Sequence, residues 1–276
     1  MSSTTVGTSR VDDALAVLDG AEIAVLTGAG LSTDSGIPDY RGPHAPVRRP
    51  MTIATFRSGP AARQRYWARS HVGWLPMTTA QPNAGHRAIA RLQAAGVVST
   101  VVTQNVDGLH SAAGATPVID LHGRLRDVIC LDCKQITART ALHERLLALN
   151  PGFGADLAPT TRPDGDVELD DVSDFRVAPC LACDGALKPD VVFFGENVPA
   201  ERVARSYDAV DAADALLVAG SSLTVLSGFR FVRHAARSGK PVVIVNRGAT
   251  RGDPYATVKI DAGCTPVLTE LAEVLR

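Results

Sequence analysis

Five apolar residues, Ala215-Leu216-Leu217-Val218-Ala219, run without a polar side chain and stop at Gly220-Ser221-Ser222. A strand expected at 22–26, apolar after Glu22, leads into Thr27-Gly28-Ala29-Gly30, and a similar apolar run at 242–245 stops at Asn246-Arg247-Gly248. A strand that is apolar on both sides has no solvated face, so it belongs in a sheet covered on both faces. Between these runs lie helical stretches at 9–20 (Ser9 as cap, Asp12 three residues on), 84–95, 200–213, 228–238 and 266–275. Further strands are expected at 97–102, 118–121, 186–194 and 257–260. Strands alternating with helices predict an α/β fold, a doubly wound parallel sheet.

Ligands of such sheets bind at the carboxyl ends of strands. A strand that enters a Gly-rich turn brings backbone N–H groups close to a pyrophosphate. Three strands here end in small or polar residues, at Gly28, Gly220 and Asn246. The first is not the dehydrogenase fingerprint, because Thr33 stands at the third glycine's place and the next glycine is Gly36. The run at 97–102 leads into Thr103-Gln104-Asn105-Val106-Asp107, and the strand at 118–121 delivers His122-Gly123. Two neighbouring strands can thus present an amide, a carboxylate and an imidazole to one pocket. Taken alone, the same residues also fit an Asx turn and a satisfied core histidine.

Four of the five cysteines form two Cys-x-x-Cys pairs, Cys130/Cys133 and Cys180/Cys183. In a reducing compartment such pairs point to a metal. Zinc takes four thiolates tetrahedrally, and a site so closed has no position left for chemistry. Residues 42–82 hold Pro43, Pro46, Pro50, Pro60, Pro76 and Pro82 around a helical centre at 61–72, expected to be a flexible or helical insertion beside the ligand site. Tyr66 and Arg69 share a face of that helix, which reads equally as a solvated basic helix with one packed aromatic. Residues 134–179 are poor in regular core apart from a helix at 142–149, and the acidic run 164–171 reads as a solvated loop or edge hairpin. Its carboxylates lack the spacing of a calcium loop.

With 45% hydrophobic and 21% charged residues and a net charge of −1, nothing favours nucleic acid or a membrane surface as partner. No apolar run approaches the ~20 residues of a spanning helix. Met1–Arg10 is polar and unlike a secretory signal. A cytoplasmic location is expected.

Taken together, Gly28-Ala-Gly-x-Ser-x-x-Ser-Gly-Ile-Pro-Asp-Tyr-Arg41, Thr103-Gln-Asn-x-Asp107, Leu121-His-Gly123, the cysteine pairs, Val192-Phe-Phe-Gly-Glu196, Gly220-Ser-Ser-Leu223 and Val245-Asn246 form a pattern. In this order the chain resembles the sirtuins, NAD-dependent protein-lysine deacylases, from about Leu15 to Leu275. Arg63–Arg69, Pro163-Asp-Gly-Asp166 and the long segment between the cysteine pairs are most similar to class II members. The resemblance implies a Rossmann-like NAD-binding domain (1–42, 83–127 and 188–276), an insertion at 43–82 and a small zinc module at 128–187.

It also implies roles. His122 is the general base, with Asn105 and Asp107 as the other catalytic residues. NAD is held by Gly28, Ala29, Gly30, Ser35, Gly36, Asp39, Tyr40 and Arg41, by Gln104 and Val106 beside Asn105 and Asp107, by Gly220, Ser221 and Ser222, and by Asn246, Arg247, Gly248 and Cys264. One structural zinc sits on the four paired cysteines. The acyl-lysine protein or peptide lies against Val192, Phe193, Phe194 and Gly195. Products are nicotinamide, free lysine and O-acyl-ADP-ribose. The residue types suit this chemistry, which needs orientation, a grip on nicotinamide and a base near neutral pH rather than a strong enzyme nucleophile.

Three positions depart from common family patterns. Position 40 is Tyr where many members carry Phe, and Ser227-Gly228 stands where acetyl-lysine specialists have a Pro-containing stretch. Tyr66-x-x-Arg69 matches the spacing that class III members use for acidic acyl groups, so Arg69 is expected to pair with a glutaryl-type carboxylate. The alternative functions on this fold are a protein mono-ADP-ribosyltransferase and a non-catalytic NAD or ADP-ribose sensor. A sensor has no need of His122.

Overall fold

The computed structural model describes residues 8–40, 50–157, 163–169 and 171–275. Its strands are β1 (Ile23–Thr27), β2 (Val98–Thr103), β3 (Val118–Asp120), β4 (Gly123–Cys130), β5 (Ile136–Ala138), β6 (Leu187–Val191), β7 (Ala215–Ala219), β8 (Val242–Val245) and β9 (Val258–Ile260). Its helices are α1 (Thr8–Leu18), α2 (Ile53–Arg57), α3 (Pro60–Thr79), α4 (Ala84–Ala94), α5 (Leu109–Ala112), α6 (Arg139–Leu149), α7 (Ala200–Ala212), α8 (Leu226–Arg237) and α9 (Cys264–Val274). Six strands pair in parallel in the order β3-β2-β1-β7-β8-β9.

The period of two along a strand explains the unbroken apolar runs. In β1, Ile23 and Val25 pack with Leu18, Leu92, Leu268 and Leu271 of α1, α4 and α9. Ala24 and Leu26 pack on the other face with Val210 of α7 and Phe231 and Val232 of α8. Both faces are buried, so neither set of positions tolerates a polar residue.

From β1 the sheet grows outward to β2 and β3 on one side and to β7, β8 and β9 on the other. This reversal between β1 and β7 is the point where an open α/β sheet forms a crevice at its strand ends. There the two turns pack backbone to backbone. Gly30 N–H donates to the Gly220 carbonyl at 2.8 Å. Gly220 has a left-handed φ of +68°, and a Cβ on it would stand 2.3 Å from Leu31 N. Glycine is required here by both conformation and space.

A second, antiparallel sheet has the order β5-β4-β6. Beneath it lies a third core that joins Phe56, Tyr66, Trp67 and Trp74 of α2 and α3 to Leu142 and Leu146 of α6 and to Val128, Phe175 and Leu187. Trp67 Nε1–H donates to the Leu187 carbonyl at 3.0 Å. Arg139 is only 1% exposed. Its guanidinium lies 5.3 Å and 4.7 Å from the Trp67 and Trp74 rings and donates to the Ser70 carbonyl at 3.2 Å. A weakly hydrated planar cation suits such a sandwich.

The helix expected at 61–72 extends to Pro60–Thr79 with Pro76 inside it. Pro60 at the first position is compatible with helical φ and lacks only an N–H that would be free anyway. The helix expected from Leu142 starts at Arg139, and the one expected from Pro266 starts at Cys264. The strands β4 and β5 and the short helices α2 and α5 were not anticipated. The acidic run is not a solvated loop throughout, because Asp166 and Val167 are buried. The cap expected of Ser9 concerns a side chain outside the described ones.

Candidate active site

A cavity of about 690 Å³ opens over the carboxyl ends of β1, β2, β3, β7 and β8. That is within the range of small-molecule sites. The β1 turn contributes Gly28, Ala29, Gly30 and Ser32, followed by Asp39 and Tyr40. From β2 come Gln104, Asn105, Val106 and Asp107, and β3 ends at His122. The turns after β7 and β8 supply Gly220, Ser221 and Ser222, and Asn246 and Arg247.

The polar groups inside are tied to one another. Asn105 Nδ2 donates to the Gly28 carbonyl and to Ser32 Oγ, both at 3.1 Å. The Ser32 hydroxyl donates to Asp107 Oδ2 at 2.7 Å, and Leu109 N–H donates to Asp107 Oδ1 at 2.9 Å. Burial pushes the Asp107 carboxyl above its ordinary value, while those two bonds pull the other way. Below this network, the Thr27 hydroxyl donates to Thr103 Oγ1 at 2.8 Å, and Asn105 N–H donates to the same oxygen at 3.1 Å. The strand ends are therefore hydrogen-bonded across β1 and β2, and Asn105 has little freedom.

His122 has two hydrogen bonds. Nδ1 lies 2.9 Å from the Gln104 carbonyl and Nε2 lies 2.8 Å from Ser227 Oγ. A carbonyl only accepts, so Nδ1 carries the proton and Nε2 the lone pair in the neutral ring. Burial lowers the imidazole's pKa; the bond to the Gln104 carbonyl opposes the shift, and the Arg202 charge adds to it. The ring is thus neutral at neutral pH with a basic nitrogen facing the cavity.

Val192, Phe193, Phe194 and Gly195 line the far wall with Tyr66, Asp164 and Asp166. Val192 N–H donates to the His122 carbonyl at 2.8 Å, so this wall is fastened to the base's own backbone. Phe193 packs against Phe56 and Tyr66 with ring centroids 5.3 Å and 5.2 Å away. Tyr40 meets Phe194 edge-on at 6.1 Å. Glu196 accepts the Phe193 N–H at 3.0 Å and pairs with the buried Lys188 at 3.0 Å, which fixes the segment after β6.

Several expected residues lie elsewhere. Arg69 does not line the cavity. Its guanidinium pairs with Asp166 at 2.7 Å and donates to the Val167 carbonyl, so in this structure it is engaged by the protein's own carboxylate. The three-residue spacing puts Tyr66 and Arg69 on one side of α3, but only the Tyr66 ring reaches the cavity. Cys264 is likewise behind the wall: its thiol donates to the Val245 carbonyl at 3.6 Å, and burial pushes its pKa up to about 12. Ser35 accepts from Asn83 Nδ2 at 3.1 Å, Gly36 closes a 3-10 turn, and Gly248 N–H donates to Asp261 at 2.8 Å. These three shape the surrounding turns without lining the cavity. Arg41, Pro43 and Pro46 lie outside the described residues.

Ser32, Asp164, Asp166 and Ser227 line the cavity without having been singled out for it. Ser32 sits inside the Gly28–Arg41 motif, which was its only signal. The burial of Asp166 depends on Arg69, 97 positions away.

The four paired cysteines bring their sulfurs within 4.8 Å of one another. The two knuckles repeat one geometry. Lys134 N–H donates to the Cys130 carbonyl at 3.1 Å and Asp184 N–H to the Cys180 carbonyl at 3.0 Å. Lys134 and Asp184 both have positive φ, 64° and 55°. Four convergent thiols with no oxygen donor fit one tetrahedral zinc.

The family model described as Sir2 family matches residues 28–227. The NAD-dependent protein deacetylase 1 of Mycobacterium avium (strain 104) is 58% identical over 275 residues, covering 98% of both chains. The protein of the same name from Streptomyces coelicolor is 52% identical over 273 residues, covering 98% of this chain and 91% of that one. Among solved structures, a Sir2 complex with a p53 peptide and NAD+ is similar with a TM-score of 0.78 and 31% identity, covering 95% of this chain and 97% of that one. A Sir2 enzyme bound to a propionylated peptide has a TM-score of 0.76 and 30% identity over 96% of this chain and 98% of that one.

Proposed function

The chain belongs to the Sir2 family, and from that premise we propose how its residues carry out the reaction. It is an NAD-dependent protein deacetylase that acts on acyl-lysine in proteins or peptides. The cleft suits a dinucleotide on its own terms, because the glycine turns of β1 and β7 leave backbone and hydroxyl groups, not side-chain bulk, at the strand ends. Gly28, Ala29, Ser221 and Ser222 would face the phosphates, and Asn246 and Arg247 the adenosine. Asn105 would hold the nicotinamide ribose, oriented by Ser32, and Asp107 would grip the carboxamide. Bound NAD supplies a ribose that can part from nicotinamide and whose hydroxyls then take the acyl group.

His122 supplies the base. Nδ1–H is held by the Gln104 carbonyl, so Nε2 is the atom that takes a proton from a ribose hydroxyl. The 2.9 Å contact between Nδ1 and a carbonyl that can only accept is the observation on which the catalytic reading rests. Cys130, Cys133, Cys180 and Cys183 would hold the zinc with no position left open, so it would order the two knuckles and supply no chemistry. The acyl chain would lie against Tyr66, Val191 and Phe193, with Asp164 and Asp166 beyond.

The division into a Rossmann-like unit (1–42, 83–127 and 188–276), a segment at 43–82 and a zinc module at 128–187 is proposed with it. The two cores on the large sheet support the large unit, while the core beneath the small sheet joins 43–82 to the zinc module. Among the described residues no helix is long and apolar enough to cross a membrane, and a cytoplasmic location is part of the proposal.

The test is a mass-spectrometric assay of the protein with NAD and peptides bearing acetyl-, succinyl-, glutaryl-, lipoyl- or long-chain acyl-lysine, beside His122→Ala. Nicotinamide release with matching O-acyl-ADP-ribose, abolished in the variant, is expected. Equal product from the variant removes His122 as the base. Mass added to protein without O-acyl product would move the reading to ADP-ribosyl transfer.

A further inference from the structure

We propose that Ser227 is a positioning residue for the base, holding His122 Nε2 in place before proton transfer and accepting the N–H that transfer creates. The proposal rests on the role given to His122 above.

The imidazole is held at both nitrogens, and the two partners differ in kind. The Gln104 carbonyl can only accept, so its bond to Nδ1 survives unchanged when the ring is charged. At Nε2 the partner must reverse its role. The Ser227 hydroxyl, 2.8 Å away, donates to the lone pair of the neutral ring. Nε2 has one lone pair, so the Ser227 hydroxyl first turns its hydrogen away as a ribose hydroxyl takes that place; the ribose O–H bond then breaks, an N–H bond forms and the electron pair stays on the ribose oxygen. Ser227 Oγ then turns a lone pair towards the new N–H. A hydroxyl can do both, whereas a side-chain amide NH₂ or an ammonium can only donate.

The setting keeps this hydroxyl where it is. Ser227 is the second residue of α8, so its backbone is fixed by a helix packed on the large sheet. The next residue is Gly228, where a Cβ would stand 2.6 Å from Gln104 Oε1. The glycine lets the Gln104 side chain lie against the first turn of α8 and donate to Ser221 Oγ at 2.7 Å. Thus the residue that holds Nδ1 is packed against the neighbour of the residue that holds Nε2. Ser227 and Gly228 work as a pair, one touching the ring and the other seating Gln104.

The carboxylates of the neighbouring strands β3 and β6 are already engaged. Arg202 of α7, the charge that lowers the His122 pKa, pairs with Asp190 of β6 at 2.9 Å. Asp120 of β3 pairs with Arg124 of β4. Arg230, further along α8, lines the cavity. The proton acquired at Nε2 is therefore met by a neutral hydroxyl, not by a carboxylate that would hold it permanently.

The test compares the wild type with Ser227→Ala and Ser227→Thr, first without NAD. Nitrogen NMR of ¹⁵N-histidine-labelled protein reads the His122 tautomer and titration. The wild type should show the Nδ1–H tautomer. Ser227→Ala should titrate lower than wild type, because a charge-assisted bond to the imidazolium is stronger than the neutral bond it replaces. Ser227→Thr should restore the wild-type value. With NAD and acetyl-peptide, Ser227→Ala should exchange labelled nicotinamide into NAD at a near wild-type rate but form O-acyl product several-fold more slowly, with rescue by threonine. An alanine variant with wild-type titration and partition overturns the proposal, as does equal loss of exchange and product that threonine does not rescue. If the wild type consumes no NAD, the catalytic reading fails, while the NMR comparison still decides whether Ser227 holds the ring.

Discussion

Replacing Arg69 with methionine separates two roles for one residue, a reader of acidic acyl chains or an internal counter-ion. The structure assigns the second. Arg69 and Asp166 are 2.7 Å apart, with side chains only 15% and 6% exposed. Methionine keeps most of the aliphatic stem, so little cavity is opened. The loss is the guanidinium, which neutralises Asp166 and also donates to the Val167 carbonyl. Removing one member of a buried pair typically destabilises by about 3–5 kcal/mol. Asp166 keeps its bond from Val167 N–H at 3.0 Å and can relieve itself by taking a proton, so the low end, about 3 kcal/mol, is expected. At about 2–4 °C per kcal/mol for a domain of roughly this size, the melting temperature should fall by about 6–12 °C. Arg69→Met/Asp166→Asn, which removes both charges, should recover more than half of that fall. Calorimetry measures the stability, and the same preparations assayed on acetyl- and glutaryl-peptides give the selectivity. A melting temperature within about 1 °C of wild type, together with a selective loss of glutaryl turnover, would refute this reasoning.

Acid should unfold the protein through its buried histidines. Burial lowers His110 to about 3 and His86 to about 4, from an ordinary 6.5. Below pH 6.5 the unfolded chain binds two protons that the folded one refuses, so stability is fully present above 6.5 and is lost as pH falls towards 4. The slope approaches about 2.7 kcal/mol per pH unit for the two groups together, and denaturant midpoints at pH 7, 6 and 5 measure it. A midpoint that does not move over that range would show that these histidines are not buried neutral. Metal analysis of purified protein should find one zinc per chain, and Cys183→Ser should lower both the zinc content and the melting temperature. Protein that melts unchanged after exhaustive chelation has no structural zinc.

The large sheet was legible because β1, β7 and β8 are buried on both faces, which leaves an unmistakable run of apolar residues. The strand β4 was not, because Arg124, Arg126 and Asp127 interrupt its apolar positions, and only one side of it is packed. Motif order located the cavity residues from Gly28 to Asn246, since these lie at strand ends that the chain itself marks with glycine or a polar side chain. Arg69 went astray for a physical reason. Helical spacing says which side of α3 a residue occupies, but not which long side chain another part of the chain captures. Asp166 hides for the same reason, because an acidic residue reads as solvated until its partner is found. Ser227 stood out in the sequence only as the place of a missing proline, and its contact with His122 depends on how α8 sits over the end of β3.

The two cysteine knuckles give the chain a clasp. Cys133 and Cys180 are 47 positions apart, and a metal between the knuckles pins both ends of everything in that interval. Closing a loop depends only logarithmically on its length, so doubling such an interval costs about 0.6 kcal/mol in chain entropy. Yet this interval sends Asp164 and Asp166 back to the cavity wall. Asp164 and Asp166, beyond the acyl end, therefore belong to a stretch whose length can change at little cost in chain entropy, while His122 and the glycine turns lie outside it. New acyl preferences can arise by exchange within the clasped interval, leaving the catalytic frame as it stands.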